Sequence, residues 1–318
     1  MTKTLCKITL VMAFVVVTLG ALTRLLDAGL ACPDWPGCYG QITPPKSGLL
    51  AEDNAKAWME MIHRYLASAL GLAILIIAVK IQVDKALSST VKLLSLGLLA
   101  LVIVQGLFGM LTVTMKLLPQ VVTLHLLGGM ATLALLFLLV LQLRSVKPVT
   151  IPAKLKSLAL VVLILLSVQI AIGGWTSSNY AGLACPDFPT CQQQWLPDMN
   201  LAVAFNITQI HDHNYLGGGL LSAQSVVTIQ VVHRIFALVL LLTVVTLCAR
   251  LWSFSDARIP VAILLALTFV QIGIGIANAL LLLPLPLALA HNTGAAILLL
   301  NVVYINYILL SKMNSNNH

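Results

Sequence analysis

Eight long apolar runs, separated by short polar breaks, make up most of this chain. They lie at roughly 7–26, 57–80, 92–115, 120–143, 155–177, 224–250, 259–283 and 287–310. Each is long enough to cross the hydrocarbon core of a bilayer, which takes about 20 apolar residues. The pattern predicts an all-α membrane protein with eight transmembrane helices. Lys3 and Lys7 ahead of the first run imitate a signal peptide. That reading is rejected because the run has an internal counterpart, and an internal segment is not a cleaved signal.

The counterpart belongs to a long internal repeat. "GALTRLLDAGLACPDWPGC" from Gly20 aligns with "GGWTSSNYAGLACPDFPTC" from Gly173 at an offset of 153. "MIHRYLA" from Met61 aligns with "VVHRIFA" from Val231 at an offset of 170, and Gln105 and His125 pair with Gln271 and His291 at 166. The chain divides into 1–150 and 151–318, each a four-helix bundle. An even number of crossings returns the chain to its starting side. The tandem bundles are therefore expected to be related by a pseudo-two-fold rotation about the membrane normal, rather than by inversion.

Composition agrees: 59% of residues are hydrophobic, 9% are charged, and the mean hydropathy is +1.00, which excludes a soluble domain. Lysine and arginine then set the orientation. With a cytoplasmic N-terminus, most of them, including Lys80, Lys85, Lys92, Arg144, Lys154, Arg250 and Arg258, fall on the cytoplasmic side. Most acids, including Asp27, Asp34, Glu52, Asp187 and Asp198, fall outside. Both termini are expected inside a cytoplasmic (inner) membrane, and both cysteine loops on the periplasmic or extracellular face. The formal charge of +8 then reflects the positive-inside rule and anionic lipid, and calls for no nucleic acid partner. Cys32, Cys38, Cys185 and Cys191 lie outside, where disulfides persist, whereas Cys6 and Cys248 sit at cytoplasmic helix ends as expected free thiols.

Of seven histidines, four lie within helices at repeat-equivalent places: His63, His125, His233 and His291. A single intramembrane histidine is as often a satisfied core side chain as a functional one. Four at one depth point to function. Two imidazoles on facing helices suit the axial positions of a haem iron, and a large apolar ring suits an apolar bundle. Zinc would want more ligands than one pair per half supplies. Arg64 and Arg234 each follow a histidine, and are read as candidate partners of haem propionates near the outer surface. Snorkelling, or pairing with a loop aspartate, is the other use for them. His211 and His213 stand in the longer second outer loop and have no assigned role.

The halves differ at one telling place. Glu60 precedes His63 by three residues, where the second half has Gln230 before His233. Residues three apart share a helix face, so one half carries a titratable group on the face of its histidine and the other does not. The first half is read as the reaction chamber and the second as the cofactor-holding half. An interfacial, solvated glutamate is the bland alternative.

Eight helices in two repeats, the outer "CPDWPGC" loop, E-x-x-H on the second helix and three further helical histidines resemble the haem A synthases. The likeness covers essentially the whole chain. It implies an oxidoreductase that converts the C8 methyl of haem O to a formyl group, making haem A for cytochrome oxidase assembly. It also implies a haem b cofactor on His233 and His291, substrate haem O near His63 and His125, Glu60 as the essential carboxylate, and a Cys32–Cys38 disulfide near the site. Outside location and shared spacing predict both disulfides, Cys32–Cys38 and Cys185–Cys191, formed within each loop; crosslinks between the loops would overturn this. Each loop is read as a lid over its haem. Closing seven residues contributes only about 2 kcal/mol, so placement matters more than stability. A redox-exchange role for the first pair is the weaker reading. Pathway logic alone suggests a complex with the haem O synthase. The electron donor is left unidentified, and a homo-oligomer is compatible with the sequence. Two other functions fit the histidines: a bis-histidine dihaem electron-transfer protein linked to quinol, and a non-catalytic haem transporter or chaperone. Location of both pairs near one face weighs against the first, and the Glu60/Gln230 difference against the second.

Overall fold

The computed structural model describes residues 2–45, 47–48, 50–144, 148–208 and 221–310; His211, His213 and His318 lie outside them. Among the described residues the regular structure is helical: α1 (Thr2–Leu25), α2 (Ala51–Val83), α3 (Ser89–Thr114), α4 (Pro119–Gln142), α5 (Ala153–Ser178), α6 (Leu201–Ala204), α7 (Ala223–Leu251), α8 (Ser255–Leu280) and α9 (Leu285–Leu310). All but the four-residue α6 are long and apolar enough to span a membrane, which makes this a multi-pass membrane protein.

Helix ends follow local chemistry. Ser88 and Ser222 accept hydrogen bonds from Val91 and Ser225 and so cap α3 and α7, while Pro119 opens α4 where no backbone donor is needed. α3 and α8 stop where two successive residues turn left-handed, Lys116 and Leu117 after one, Leu282 and Leu283 after the other. In each case the second of these donates its N–H back into the last turn, to Thr112 or Asn278 (2.8 Å each), and satisfies an otherwise orphaned carbonyl. α2 begins well before its apolar run. Its first turns carry an exposed Lys56–Glu52 ion pair (2.9 Å), which hydropathy alone does not see. The 3₁₀ turn Ala181–Leu183 and α6, both in the second loop, carry no apolar periodicity that announces them.

α1–α4 pack in a closed ring, α1 on α2, α2 on α3, α3 on α4 and α4 on α1; α5, α7, α8 and α9 do the same. The two groups meet through α1 on α9, α4 on α5 and α4 on α9. One continuous apolar core fills the end of the bundle where the chain begins and ends. It joins Ile74, Ile77 and Leu98 to Val244, Leu247 and Leu264, residues that correspond in the alignment. At the opposite end the buried apolar residues form small separate clusters, two of them around the disulfides and two others around Trp175 and Leu118. Between Met61 and Leu70 on α2, and between Val231 and Leu240 on α7, no side chain is fully buried. Those stretches carry His63 and His233, both only partly buried.

A polar latch also joins the halves at the loop end. Arg24 donates to Asp27 (2.8 Å) and to the carbonyl of Ser177 (2.6 Å), and its guanidinium lies 4.2 Å from the centre of the Tyr180 ring. Tyr180 completes the circuit by donating to Asp27 (2.9 Å). Arg24→Ala removes a charged hydrogen bond to a carbonyl together with a cation–π contact, and is expected to destabilise the protein by about 1–3 kcal/mol. Tyr180→Phe, which loses one partly exposed bond, is expected to destabilise it by about 1 kcal/mol or less. Thermal unfolding in detergent, followed by circular dichroism, orders the two variants.

Candidate functional site

Each cysteine loop is a tight turn built the same way. Cys32 and Cys38 are joined, as are Cys185 and Cys191, so pairing is within each loop. Cys38 and Cys191 each exchange backbone hydrogen bonds with the glutamine three residues on. The Trp35–Pro36 and Phe188–Pro189 peptide bonds are both cis. Asp34 accepts from the N–H groups of Tyr39 (2.5 Å) and Gly40 (2.8 Å). Asp187 accepts from Thr190 Oγ1 (2.5 Å), Gln192 N–H (2.7 Å) and Gln193 N–H (2.9 Å). These donors favour the charged carboxylates. The Gly40 N–H, first among them, holds Asp34 below the ordinary carboxylate range, and the Thr190 hydroxyl, with the two amides, brings Asp187 to about 2. A depressed folded-state value means that this support is complete above the ordinary pKa of about 3.9 and fades as pH falls toward 2.

The arginines tie these turns to the helices. Arg64 Nη1 donates to the carbonyls of Asp34 (2.9 Å), Pro36 (3.3 Å) and Gly37 (2.7 Å). Arg234 Nη1 donates to the matching carbonyls of Asp187 (2.9 Å) and Thr190 (2.8 Å), and its Nη2 to that of Cys185 (2.7 Å). Loop attachment is thus a use of these arginines that motif reading did not assign, because the carbonyls concerned have no side-chain signature.

The halves part at Glu60. Its carboxylate accepts from the Cys32 N–H (2.9 Å) at one oxygen and from Arg64 Nη2 at the other. At 4% exposure it is buried under the loop, which removes the reading of a solvated interfacial acid. Gln230 occupies the matching place, and its Oε1 is buried without a hydrogen-bond partner. Arg234 reaches the Cys185 carbonyl instead.

The four imidazoles fall into two pairs, one in each ring of four helices: His63 on α2 with His125 on α4, and His233 on α7 with His291 on α9. Every ring is only partly buried, yet the Nδ1 atoms of His63, His125 and His291 are buried with no hydrogen-bond partner. Gln169 Nε2 lies 3.2 Å from His233 Nδ1 and 3.1 Å from the His233 carbonyl; Val16 holds the equivalent place in the first half. Gln271 Nε2 donates to the His291 carbonyl (2.8 Å). A buried imidazole nitrogen without a partner in an apolar bundle suits a metal-bearing apolar ligand. Among the described residues no three His, Cys, Asp or Glu side chains gather around one point, so each pair offers two ligands and no more. A macrocycle that brings its own equatorial ligands fits such a pair.

The family model of the cytochrome oxidase assembly proteins (COX15-CtaA) matches residues 3–303. The chain belongs to this family. A "Heme A synthase" of Shewanella oneidensis is 42% identical to it over 98% of both chains. A "Heme A synthase" of Nitrosomonas eutropha is 26% identical over 92% of this chain and 89% of its own, and one of Rhizorhabdus wittichii 25% identical over 71% of each. The family resemblance read from the cysteine loop and E-x-x-H thus holds across the whole chain, and haem is the ligand class that it brings.

Thiol counting checks the loop chemistry. Denatured, unreduced protein is expected to label at two cysteines, Cys6 and Cys248, and reduced protein at all six. In native protein both free thiols are buried and should resist labelling.

Proposed function

We propose that this chain is a haem A synthase, an oxidoreductase that converts the C8 methyl of haem O to a formyl group for cytochrome oxidase assembly. The observation that carries the reading is the one unmatched acid beside two matched histidine pairs, in a chain 42% identical over 98% of its length to a protein of that name. Residues 1–150 form the catalytic half and 151–318 the cofactor half, related by a rotation about the membrane normal. The reciprocal packing of α1 on α9 and α4 on α5 supports that relation. Both termini are cytoplasmic and the loops periplasmic or extracellular, which the lysine and arginine bias supports.

His233 and His291 hold a haem b, and His63 and His125 face the substrate haem O. Partnerless buried nitrogens and partly open rings support this assignment. A bound haem supplies the electron transfer that the oxidation needs. The chain's own residues supply the rest. Glu60 is fixed before substrate arrives, because the Cys32 amide and Arg64 hold its two oxygens. It takes a proton released as the methyl is oxidised, or stabilises positive charge developing there. The disulfide loop closes over this carboxylate and keeps water from it. Arg64 and Arg234 stand at the loop boundary, where propionates of either haem would meet a guanidinium.

Two expected outcomes test the reading. Glu60→Gln, which gives the first half the amide that the second half already has, should lower haem A formation by about 10²–10⁴-fold. Pigment extracted from cells carrying only this variant reads the loss, and wild-type levels of haem A would remove Glu60 from the mechanism. In the same protein the haem of the second half should remain spectrally normal. Replacing His233 or His291 with alanine should abolish that low-spin spectrum, and an unchanged α-band in both variants would refute the ligand assignment.

A further inference from the structure

Each of the four helical imidazoles lies against a glycine of the preceding membrane-spanning helix. A Cβ added at Gly20 on α1 would come 2.9 Å from His63 Cε1, and one at Gly275 on α8 would come 3.0 Å from His291 Cε1. At Gly173 on α5 it would lie 3.4 Å from His233 Cε1, and at Gly109 on α3 3.5 Å from His125 Cε1. Gly20 corresponds to Gly173, and Gly109 to Gly275, by the same offsets that align the halves. Glycine is the poorest helix former after proline, and all four stand inside helices in ordinary right-handed backbone, so no turn calls for them. Other glycines of α3 and α8 have nothing near them: a Cβ at Gly97 or Gly106 on α3, or at Gly273 on α8, would meet open space, whereas one at Gly174 on α5 would come 2.9 Å from a Leu126 methyl. What sets the four apart is the imidazole.

We infer that Gly20, Gly109, Gly173 and Gly275 are positioning residues that set the ring orientation of the four histidines. This rests on the reading of those histidines as haem ligands. A glycine backbone lets the ring edge approach closely, and Nδ1 of three of the rings has no hydrogen-bond partner; backbone groups of Val16 and Gln271 also lie against the His63 and His291 rings. In most ligand sites a polar partner on the second nitrogen orients the imidazole. Here contact with helix backbone takes over that task. At His233 Gln169 shares it, and there the glycine contact is one of the two looser ones. The contacts are graded. A methyl at Gly20 would require the ring to move, one at Gly275 would require it to give by a few tenths of an ångström, and one at Gly173 or Gly109 would meet it at the near limit of ordinary contact.

The second half allows a test that does not depend on turnover. Purified wild-type protein, Gly275→Ala, Gly173→Ala and Gly273→Ala are compared by low-temperature electron paramagnetic resonance of the oxidised low-spin haem, whose g-values respond to the angle between the two axial ring planes. Gly275→Ala should shift the g-values most and Gly173→Ala less, while Gly273→Ala, on the same helix but facing open space, should match wild type. Unmoved g-values in Gly275→Ala, or an equal shift in Gly273→Ala, would overturn the inference. If Gly275→Ala does not accumulate, Gly173→Ala against Gly273→Ala decides, and identical signals from that pair would overturn it. Two further controls, His233→Ala and His291→Ala, separate the two levels. A wild-type low-spin signal that persists in both refutes the ligand reading and this one together. A signal lost in both, beside unmoved glycine variants, refutes this one alone.

Discussion

A buried carboxylate held at both oxygens organises the loop end of the first half. Glu60 would be costly in an apolar bundle if it stood alone, because a charge removed from water needs partners close at hand. The Cys32 amide and Arg64 provide them. The same guanidinium serves three carbonyls of the disulfide turn. Helix, acid, arginine and loop therefore stand or fall together. The Cys32–Cys38 bond and the Asp34 turn keep the loop in the shape that this network requires.

The second half keeps that scaffold without the charge. Arg234 contacts carbonyls equivalent to those of Arg64, and Asp187 closes its turn as Asp34 does. Gln230 is buried without a partner for its oxygen, so the loop there is held by the arginine and not by the side chain at position 230. The two loops share what builds the turn and differ at the buried side chain beneath it, a carboxylate in one and an amide in the other. The latch between halves diverged in a similar way. Positions 24 and 177 correspond in the alignment, as do 27 and 180, and these counterparts touch one another. Identical charged residues would repel there. Arginine meeting a backbone carbonyl and a tyrosine ring, and aspartate meeting a tyrosine hydroxyl, turn the same proximity into attraction.

The continuous core and the four imidazoles occupy opposite ends of the bundle. The continuous core crosses both halves at the end that carries the termini. The loop end carries the imidazoles, the glycines beside them and the small disulfide clusters. Close packing near the termini lets the other end leave ring nitrogens without partners, which a site that receives an apolar ligand needs and a core that only packs would not tolerate.

The eight helices, the recurrence of the cysteine loop and of the helical histidines, and the Glu60/Gln230 difference were all legible in the sequence. Each depends on a property that a linear pattern carries: apolar length, periodic recurrence, or a residue type at a matched position. Family membership was legible for the same reason, in "CPDWPGC" and E-x-x-H. The partners of the polar groups were not. Nothing in the linear order says that Glu60 accepts from the amide of Cys32, or that Arg64 reaches the carbonyls of residues about 30 positions away. The glycines beside the histidines were visible as letters in the repeat, but their role depends on the distance between two helix axes. Backbone groups look alike in every sequence, and only the packing of one helix on another decides which of them a side chain meets.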